Sequence, residues 1–322
     1  MENGSKYLKI AVVIPCYRVK DQILDVIKGI GPEVDSIYIV DDSCPEHTGD
    51  QVTSNSNDPR VKVIRHSENQ GVGGATMTGF LAARDDGANI VVKMDGDGQM
   101  DPRHIGSLIR PLIHQSADCV KANRFFSPAY LKGMPPIRVV GNAVLSFFSK
   151  ISTGYWKIMD PTNGFVGVNT RLLNLLPVGR MEKGYFFESD LLYQLSTIRA
   201  VVVDVPMTAI YQDEKSNLRI GKVVLPFLVK HAVRFLKRII YSYYVRDFNI
   251  GSIELLAGLV MMGSGAGFGA WQWAIHSVRN AFTPIGTIMI STLPILIGFQ
   301  LLLSFISYDI LNEPSRPICE YL

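Results

Sequence analysis

Short apolar runs rich in β-branched residues alternate with polar stretches of helical length between about residue 10 and about residue 210. The segments from Asp21 to Gly29 and from Pro102 to His114 have the polar starts and the length of helices. Six apolar runs have the length of strands: IAVVIP, SIYIVDD, VKVIRH, NIVVKMD, DCVKAN and VVVDVP. This alternation predicts an α/β fold in which βαβ units form a mainly parallel sheet.

The pattern changes after Phe248. Leu255 to Ile275 and Ala281 to Tyr308 contain no charged side chain, and only the sequence HSVRN separates them. Each run reaches the roughly 20 apolar residues that are needed to cross a bilayer. They predict a transmembrane hairpin with spans at about residues 251–275 and 282–308. Two buried helices of a soluble domain are the less favoured alternative.

A basic segment precedes the first span, with eight Lys or Arg and no Asp or Glu between Lys215 and Arg246. On a helix, seven of them would fall on one face: Lys215, Arg219, Lys222, Lys230, Arg234, Lys237 and Arg238. Pro226 is expected to divide the segment into two helices. Apolar residues between the charges are typical of amphipathic helices on an anionic membrane surface, and nucleic acid is the less favoured partner.

The chain of 322 residues has room for one large domain and an appendage. We expect the α/β domain over residues 1–213, basic amphipathic helices over 214–248, and the hairpin with a short tail over 249–322. The first residues lack the hydrophobic core of a signal peptide, and the positive-inside rule places the large domain in the cytoplasm. The cysteines show no paired or zinc-type spacing, so reduced thiols are expected: Cys16, Cys44, Cys119 and Cys319.

Polar residues follow three of the predicted strands. Ligands of parallel sheets bind at the carboxyl ends of the strands, so these side chains are expected to share one cleft. The residues are Pro15, Tyr17, Asp41, Asp42, Asp95 and Asp97. An isolated Asp-x-Asp is usually a solvated turn, but this one follows an apolar strand. Asp95 and Asp97, with Gln99 nearby, therefore predict a hard-cation site for Mg²⁺ or Mn²⁺ beside a diphosphate.

Further candidates lie along the rest of the α/β region. Arg124 and Arg138 have the planar guanidinium that suits phosphate oxygens, although either could be a surface charge. Glu188 and Asp190 lie in an apolar frame, where an ionised carboxylate needs a partner or a task. The glycine-rich stretch NQGVGGATMTGF matches no phosphate-loop motif, and we interpret its glycines as allowing close packing of a helix on the sheet.

Together these motifs resemble the family 2 glycosyltransferases with the GT-A fold, and more narrowly the dolichyl- and undecaprenyl-phosphate sugar transferases. The matching motifs run from Val12 to Leu192: VVIPCYR, VDDSCPEHT, NQGVGGA, MDGDGQMDP, NRFF, DPTNGF and FFESDLL. The tail from YYVRDFN to YDI resembles the two-helix membrane anchor of bacterial members. The resemblance implies a Rossmann-like GT-A catalytic domain followed by amphipathic juxtamembrane helices and a transmembrane hairpin.

The resemblance also implies roles for the candidate residues. The nucleotide sugar would be bound by Pro15, Tyr17, Asp41, Asp42, Asp95, Gly96 and Asp97, and the metal by Asp95, Asp97 and Gln99. Arg124 and Arg138 would meet donor or acceptor phosphates, while Glu188 or Asp190 would orient the sugar or the metal. Ser216 would lie near a loop that covers the site. The sequence departs from the family at Val72, where a lysine is common, and at Gly96 and Gly98, which lie in GDG instead of the usual ADL.

The expected activity is inverting transfer of one sugar from a UDP- or GDP-sugar to undecaprenyl or dolichyl phosphate at the cytoplasmic face of the membrane. One alternative is transfer to a glycan or another lipid; a processive synthase is disfavoured because Gln-x-x-Arg-Trp is absent. Another alternative is a non-catalytic nucleotide-sugar-binding membrane protein. The run GSGAGFG has small-x-x-x-small spacing, through which the hairpin could pack within the chain or join a homo-oligomer.

Overall fold

The computed structural model describes residues 8–131, 136–208 and 220–322. Backbone contacts divide the chain into two compact units. The first, which we call the sheet unit, comprises Met1–Phe235 together with Pro314–Leu322. The second, the hairpin unit, comprises Leu236–Glu313. The final residues of the chain therefore belong to the same unit as its first residues.

The described part of the sheet unit contains a seven-stranded sheet with the order β3-β2-β1-β4-β6-β5-β7. The strands are β1 Ile10–Cys16, β2 Ser36–Asp41, β3 Val61–Arg65, β4 Ile90–Lys93, β5 Cys119–Asn123, β6 Val166–Asn169 and β7 Val202–Pro206. All six predicted strands are present. β6 was not predicted because its sequence, VGVN, is short and contains a glycine; it runs antiparallel to both of its neighbours. The other pairings are parallel, which confirms the mainly parallel sheet.

Helices connect the strands and cover both faces of the sheet. They are α1 Ile23–Gly29, α2 Thr48–Asn55, α3 Gly71–Asp85, α4 Ile105–Leu108, α5 Arg110–Ile113, α6 Pro136–Thr153, α7 Phe187–Thr197 and α8 Ile220–Ile240. The single helix predicted from Pro102 to His114 is wrong in detail: a 3-10 turn at Pro102–His104 precedes α4 and α5. Pro111 explains the division, because its ring cannot donate the hydrogen bond that would continue α4.

Two apolar clusters fill the space between the sheet and its helices. One contains Ile14 with Ile23 and Leu108, and the other contains Val13 with Phe80 and Phe187. Ile14 and Val13 are neighbours on β1, so their side chains point to opposite faces of the sheet. The sheet is therefore the middle layer of three, and the ends of its strands remain open for a site. All four cysteines are buried free thiols: Cys16, Cys44, Cys119 and Cys319.

The C-terminal strap, which we define as Pro314–Leu322, packs on the sheet unit. The buried carboxylate of Asp118 accepts hydrogen bonds from the backbone N–H groups of Ile318 (2.9 Å) and Cys319 (2.8 Å). It also accepts one from Val201 N–H at 2.7 Å. Arg171 donates to the carbonyl oxygen of Cys319 at 3.3 Å. Three backbone donors thus satisfy a carboxylate that is shielded from water.

Helix α8 differs from its prediction in two respects. It runs without interruption from Ile220 to Ile240 although Pro226 lies inside it, so the expected division into two helices is wrong. Packing of Phe227 and His231 against Phe186 outweighs the backbone hydrogen bond that the proline removes. In addition, the basic side chains do not all point outward. Lys230 and Arg234 pair with carboxylates of the sheet unit, and the exposed residues of the helix are largely apolar: Leu225, Val229, Val233, Leu236 and Ile240.

The hairpin unit contains α9 Ile250–Val278 and α10 Ile285–Leu311. Both helices are long and apolar enough to cross a membrane, as predicted. Small residues bring the two backbones close together: a Cβ added to Gly258 would lie 3.0 Å from the carbonyl oxygen of Gly298, and one added to Gly265 would lie 2.7 Å from that of Ser291. Of the glycines in GSGAGFG, Gly265 and Gly269 pack against Ser291 of α10, whereas a Cβ added to Gly263 or Gly267 would meet nothing within 4 Å.

A polar cluster lies at one end of the hairpin unit. Arg238 donates to Asp309 with both terminal nitrogens, at 2.7 and 3.1 Å, and Tyr243 donates to the same carboxylate at 2.6 Å. Both charged side chains are buried. This contact fixes the last turns of α8 to the final turn of α10.

Candidate active site

A cavity of about 420 Å³ opens at the carboxyl ends of β1 and β4 in the sheet unit. Pro15 and Tyr17 line it from β1, and Asp95, Gly96 and Asp97 line it from the turn after β4. The remaining lining residues come from the loop after β1, the start of α3, β4, α6, the turn before β6, the loop before α7, α7 and α8: Val19, Val72, Lys93, Asn142, Leu145, Thr162, Gly164, Tyr185, Glu188 and Phe227. The predicted cleft at the carboxyl edge of the sheet therefore exists, and six of the predicted site residues line it: Pro15, Tyr17, Asp95, Gly96, Asp97 and Glu188.

The turn after β4 explains why two aspartates follow a buried strand. Gly98 has φ of +77°, a conformation that favours glycine, so the chain reverses directly after Asp97. The backbone N–H of Gln99 donates to Oδ1 of Asp97 at 3.0 Å. Gly96 packs tightly, since a Cβ there would lie 3.1 Å from Val19. Glycine at both positions thus follows from the geometry of this turn.

Lys93 lies beneath the turn from Asp95 to Gln99, which we call the acidic turn, and was not singled out from the sequence. Its Nζ lies 2.7 Å from Oδ1 of Asp95 and 3.1 Å from Oε1 of Glu188, and the side chain is almost fully buried. Burial alone disfavours the ammonium ion, but the attraction and hydrogen bonds of the two carboxylates raise the pKa of Lys93 above its usual value. A lysine inside an apolar strand was the signal for this network, because a buried charge requires partners.

Gly164, in the motif PTNGF, leaves room for this ion pair. A Cβ added to Gly164 would lie 2.5 Å from Oδ2 of Asp95 and 2.5 Å from Nζ of Lys93. The turn is held from below by Lys121, whose ammonium donates to the carbonyl oxygen of Asn163 at 2.8 Å. The motif looked like an ordinary turn in the sequence. In the structure it is one wall of the cavity, and only glycine fits at this point.

Asp41 and Asp42 both bind backbone groups of the sheet unit. Asp41 accepts hydrogen bonds from the N–H groups of Cys44 (2.8 Å) and Gly49 (2.6 Å). Asp42 accepts from Gln70 N–H at 2.8 Å and from Gly71 N–H at 2.7 Å, and its Oδ1 lies 2.7 Å from Nδ1 of His66. Among the described residues that line the cavity, Pro15, Tyr17, Asp95, Gly96 and Asp97 are present, but these two aspartates are not. Asp42 therefore anchors the start of the glycine-rich helix α3.

Arg124 lies just after β5 and forms a two-pronged ion pair with a buried carboxylate. Its Nε and Nη2 lie 2.7 and 3.0 Å from the two oxygens of Asp160, which is fully buried. Asp160 belongs to the same motif, DPTNGF, as Gly164. The guanidinium is about one fifth exposed, so it is oriented by Asp160 and still reachable from solvent.

The two acidic residues of FFESD point to different partners. Glu188 lines the cavity and contacts Lys93. Asp190 is buried, accepts a hydrogen bond from Glu182 N–H at 2.9 Å, and lies 2.7 Å from Nε of Arg234 in α8. Burial raises the pKa of Asp190. Glu188 therefore lies beside the acidic turn, whereas Asp190 binds α8 to α7.

Two predicted site residues cannot be assigned contacts. The backbone of Arg138 lies in the first turn of α6, but its side chain is outside the described residues. Ser216 also lies outside the described residues.

The acidic turn has the donor set of a hard-cation site. Asp95 and Asp97 supply carboxylate oxygens, and Gly164 keeps the space beside Oδ2 of Asp95 open. Within the described residues, no group of three or more His, Cys, Asp or Glu could hold a metal by itself. A cation here would thus also require the side chain of Gln99 and oxygens of a bound ligand. This arrangement fits Mg²⁺ or Mn²⁺, which commonly keep positions for water and substrate phosphates.

Comparison with known proteins agrees with this geometry. The profile of the family described as Glycosyl transferase family 2 matches residues 11–176. A UDP-N-acetylglucosamine–dolichyl-phosphate N-acetylglucosaminyltransferase of Methanococcus voltae is 31% identical over 242 residues, which cover 71% of this chain and 96% of that protein. An undecaprenyl-phosphate mannosyltransferase of Micrococcus luteus is 26% identical over 222 residues, covering 67% of this chain and 90% of that protein.

The fold is also found among solved structures. Glucosyl-3-phosphoglycerate synthase from Mycobacterium tuberculosis, in complex with Mn²⁺, UDP-glucose and phosphoglyceric acid, superposes with a TM-score of 0.54 and 18% identity. The match covers 72% of this chain and 79% of that one, and it establishes the GT-A fold alone. On the extent of the family match and the identity to the archaeal relative, the chain belongs to glycosyl transferase family 2 and is a glycosyltransferase.

Proposed function

We propose that this glycosyltransferase moves one sugar from a nucleotide-diphosphate sugar to the phosphate of a membrane polyprenol, with inversion at the sugar carbon. The observation that carries the proposal is a cavity of about 420 Å³ lined by Asp95, Asp97 and Glu188. The same chain has two helices long and apolar enough to cross a membrane. The relatives named for transfer to dolichyl and undecaprenyl phosphate support this class of acceptor.

The donor would occupy the side of the cavity formed by β1 and the acidic turn. The exposed ring of Tyr17, beside Pro15, offers a face for a nucleotide base. Asp95, Asp97 and Gln99 would hold Mg²⁺ or Mn²⁺, which when bound supplies positive charge against the departing nucleoside diphosphate. Solved relatives crystallised with UDP and Mn²⁺ or Mg²⁺ support this assignment. Asp41 and Asp42 would act indirectly, by holding the loops that flank the donor.

The acceptor phosphate is already anionic at neutral pH, so the enzyme does not need a strong base. Its task is to bring two anions together, which requires positive charge fixed in place. Arg124, oriented by the buried Asp160, suits this role because a guanidinium binds phosphate oxygens with two parallel hydrogen bonds. We assign the same role to Arg138 at the start of α6, while the hydroxyl of Ser216 would donate a hydrogen bond to the phosphate without adding charge. Glu188 would orient the sugar.

Membrane attachment would place the cavity within reach of a lipid phosphate. The apolar, exposed side chains of α8 are suited to the boundary between headgroups and acyl chains. The basic residues that precede the first span favour the cytoplasmic side for the catalytic domain, by the positive-inside rule. We therefore propose a multi-pass protein of the cytoplasmic membrane whose catalytic domain is the sheet unit, Met1–Phe235 with Pro314–Leu322.

A transfer assay tests the proposal. The full chain in detergent is incubated with undecaprenyl phosphate, Mg²⁺ or Mn²⁺ and a panel of radiolabelled UDP- and GDP-sugars, and label is counted in the organic phase. We expect one donor to label the lipid, and Asp97→Asn to reduce the rate by at least about a hundredfold. If no donor labels the lipid while sugar is transferred to glycan or the donor is only bound, the polyprenyl-phosphate assignment is wrong.

A further inference from the structure

Two lysines occupy matching places in the interior of the sheet. Lys93 on β4 and Lys121 on β5 are both in register with Val166 of the intervening β6, so all three side chains point to the same face. Each lysine is only 1% exposed. Burial of an ammonium ion is energetically unfavourable unless it has a hydrogen-bond acceptor, and the two lysines have different acceptors. Lys121 binds the backbone carbonyl of Asn163, whereas Lys93 binds the carboxylates of the candidate site.

Lys93 joins two parts of the cavity that are far apart in the sequence. Asp95 follows β4, and Glu188 lies in the first turn of α7; both contact the same Nζ, at 2.7 and 3.1 Å. With Asp97, these carboxylates give the cavity lining three acidic side chains, and Lys93 balances one of their charges. One oxygen of Asp95 is thereby committed to an ammonium ion, while Gly164 leaves space beside the other.

We propose that Lys93 is a positioning residue that sets the cation affinity of the acidic turn. It holds Asp95 and Glu188 in fixed orientations, and it competes with a divalent cation for the charge of Asp95. The inference rests on the proposed function to the extent that the acidic turn receives Mg²⁺ or Mn²⁺. As a consequence, the free enzyme binds the cation weakly, and the diphosphate of the donor completes the site.

The expected size follows from electrostatics. Even with the dielectric constant of water, a unit positive charge about 5 Å from a divalent cation opposes its binding by roughly the free energy of a tenfold change in affinity, so about tenfold is a lower bound. Lys93→Met should therefore tighten Mn²⁺ binding at least about tenfold, in contrast to most changes in a metal site, which weaken it. Lys93→Arg keeps the charge and should stay within about twofold of the native affinity.

The test measures Mn²⁺ binding to the full chain in detergent, without nucleotide, by electron paramagnetic resonance of the free ion. Lys93→Met/Glu188→Gln removes one charge of each sign and should return the affinity toward the native value. Glu188→Gln alone should weaken binding, which keeps the test decisive if Lys93→Met does not fold. Lys62→Met is the control, since it removes a lysine that pairs with Asp86 and does not line the cavity.

The outcomes separate this inference from the proposed function. If Asp97→Asn abolishes Mn²⁺ binding but Lys93→Met and Glu188→Gln leave it unchanged, the role of Lys93 is refuted and the proposed function stands. An equal gain of affinity in Lys62→Met also refutes it, because the effect would not depend on Asp95. If neither the native chain nor Lys93→Met binds Mn²⁺, whether UDP is absent or present, both the inference and the metal-dependent mechanism are overturned.

Discussion

Acidification should loosen α8 from the sheet unit through His231. This side chain is buried where α8 meets α6: its Nδ1 lies 2.8 Å from the hydroxyl oxygen of Ser152, and its ring packs edge-on against Phe186. Burial lowers the pKa of His231 to about 4, from 6.5 in an exposed chain. Burial is what disfavours the protonated imidazole, since the flanking Lys230 and Arg234 are each paired with a carboxylate, Glu182 and Asp190 respectively.

The sign and size of the effect follow from the two pKa values. Between pH 6.5 and about 4, the unfolded chain binds a proton that the folded chain does not, so stability falls as the pH falls. Within this window the free energy of unfolding falls by about 1.4 kcal/mol for each unit by which the pH is lowered. From pH 7 to pH 5 the loss should reach about 2 kcal/mol.

Hydrogen exchange of the α8 amides at pH 7 and pH 5, corrected for intrinsic rates, measures this change. His231→Gln keeps a hydrogen-bonding group beside Ser152 but does not titrate. The stability of this variant should therefore fall by about 2 kcal/mol less than that of the native chain between pH 7 and pH 5. Burial raises the pKa of Asp204 to about 6, which stabilises the fold as the pH falls and so opposes the effect of His231. This contribution is the same in the native chain and in His231→Gln, so it cancels when the two are compared. Equal losses in the native chain and the variant would refute the reasoning.

Three further predictions concern other parts of the sheet unit. Gly164→Ala should reduce sugar transfer at least about tenfold, because the added Cβ collides with the ion pair below it; Gly179→Ala, where a Cβ meets nothing within 4 Å, should retain native transfer. Asp118→Ala should lower the unfolding free energy by about 3 kcal/mol in thermal melts, since three backbone donors lose their acceptor; an unchanged melt would contradict this. Arg124→Lys should raise the KM for polyprenyl phosphate about tenfold, because a lysine ammonium cannot form the bidentate hydrogen bonds of the guanidinium that Asp160 orients.

Local features of the sequence were sufficient to predict much of the fold. Six strands were recognisable because each is a short β-branched run that ends in polar residues, and the two apolar spans stand out by length alone. The acidic turn was recognisable because Asp95 and Asp97 follow a strand that has no other polar side chain except Lys93. These signals all lie within a few residues of the feature that they predict.

The unpredicted features depend on contacts between distant residues. Asp42 looked like a nucleotide ligand, yet its oxygens bind backbone groups 28 and 29 residues away. The pairing of Lys93 with Glu188 requires α7 to lie over β4, and the pairing of Arg234 with Asp190 requires α8 to lie over α7. Spacing on a single helix could not reveal that the basic face of α8 is partly used for docking.

The C-terminal strap changes the way in which the membrane anchor should be regarded. Because Pro314–Leu322 is part of the sheet unit, the hairpin is an insertion into the transferase and not an extension appended to its end. A soluble version made by stopping the chain before α9 would leave the buried carboxylate of Asp118 without two of its three backbone donors. A better soluble enzyme would replace the hairpin by a short flexible linker and retain the last nine residues, Pro314–Leu322, so that the catalytic fold is closed as it is in the full chain.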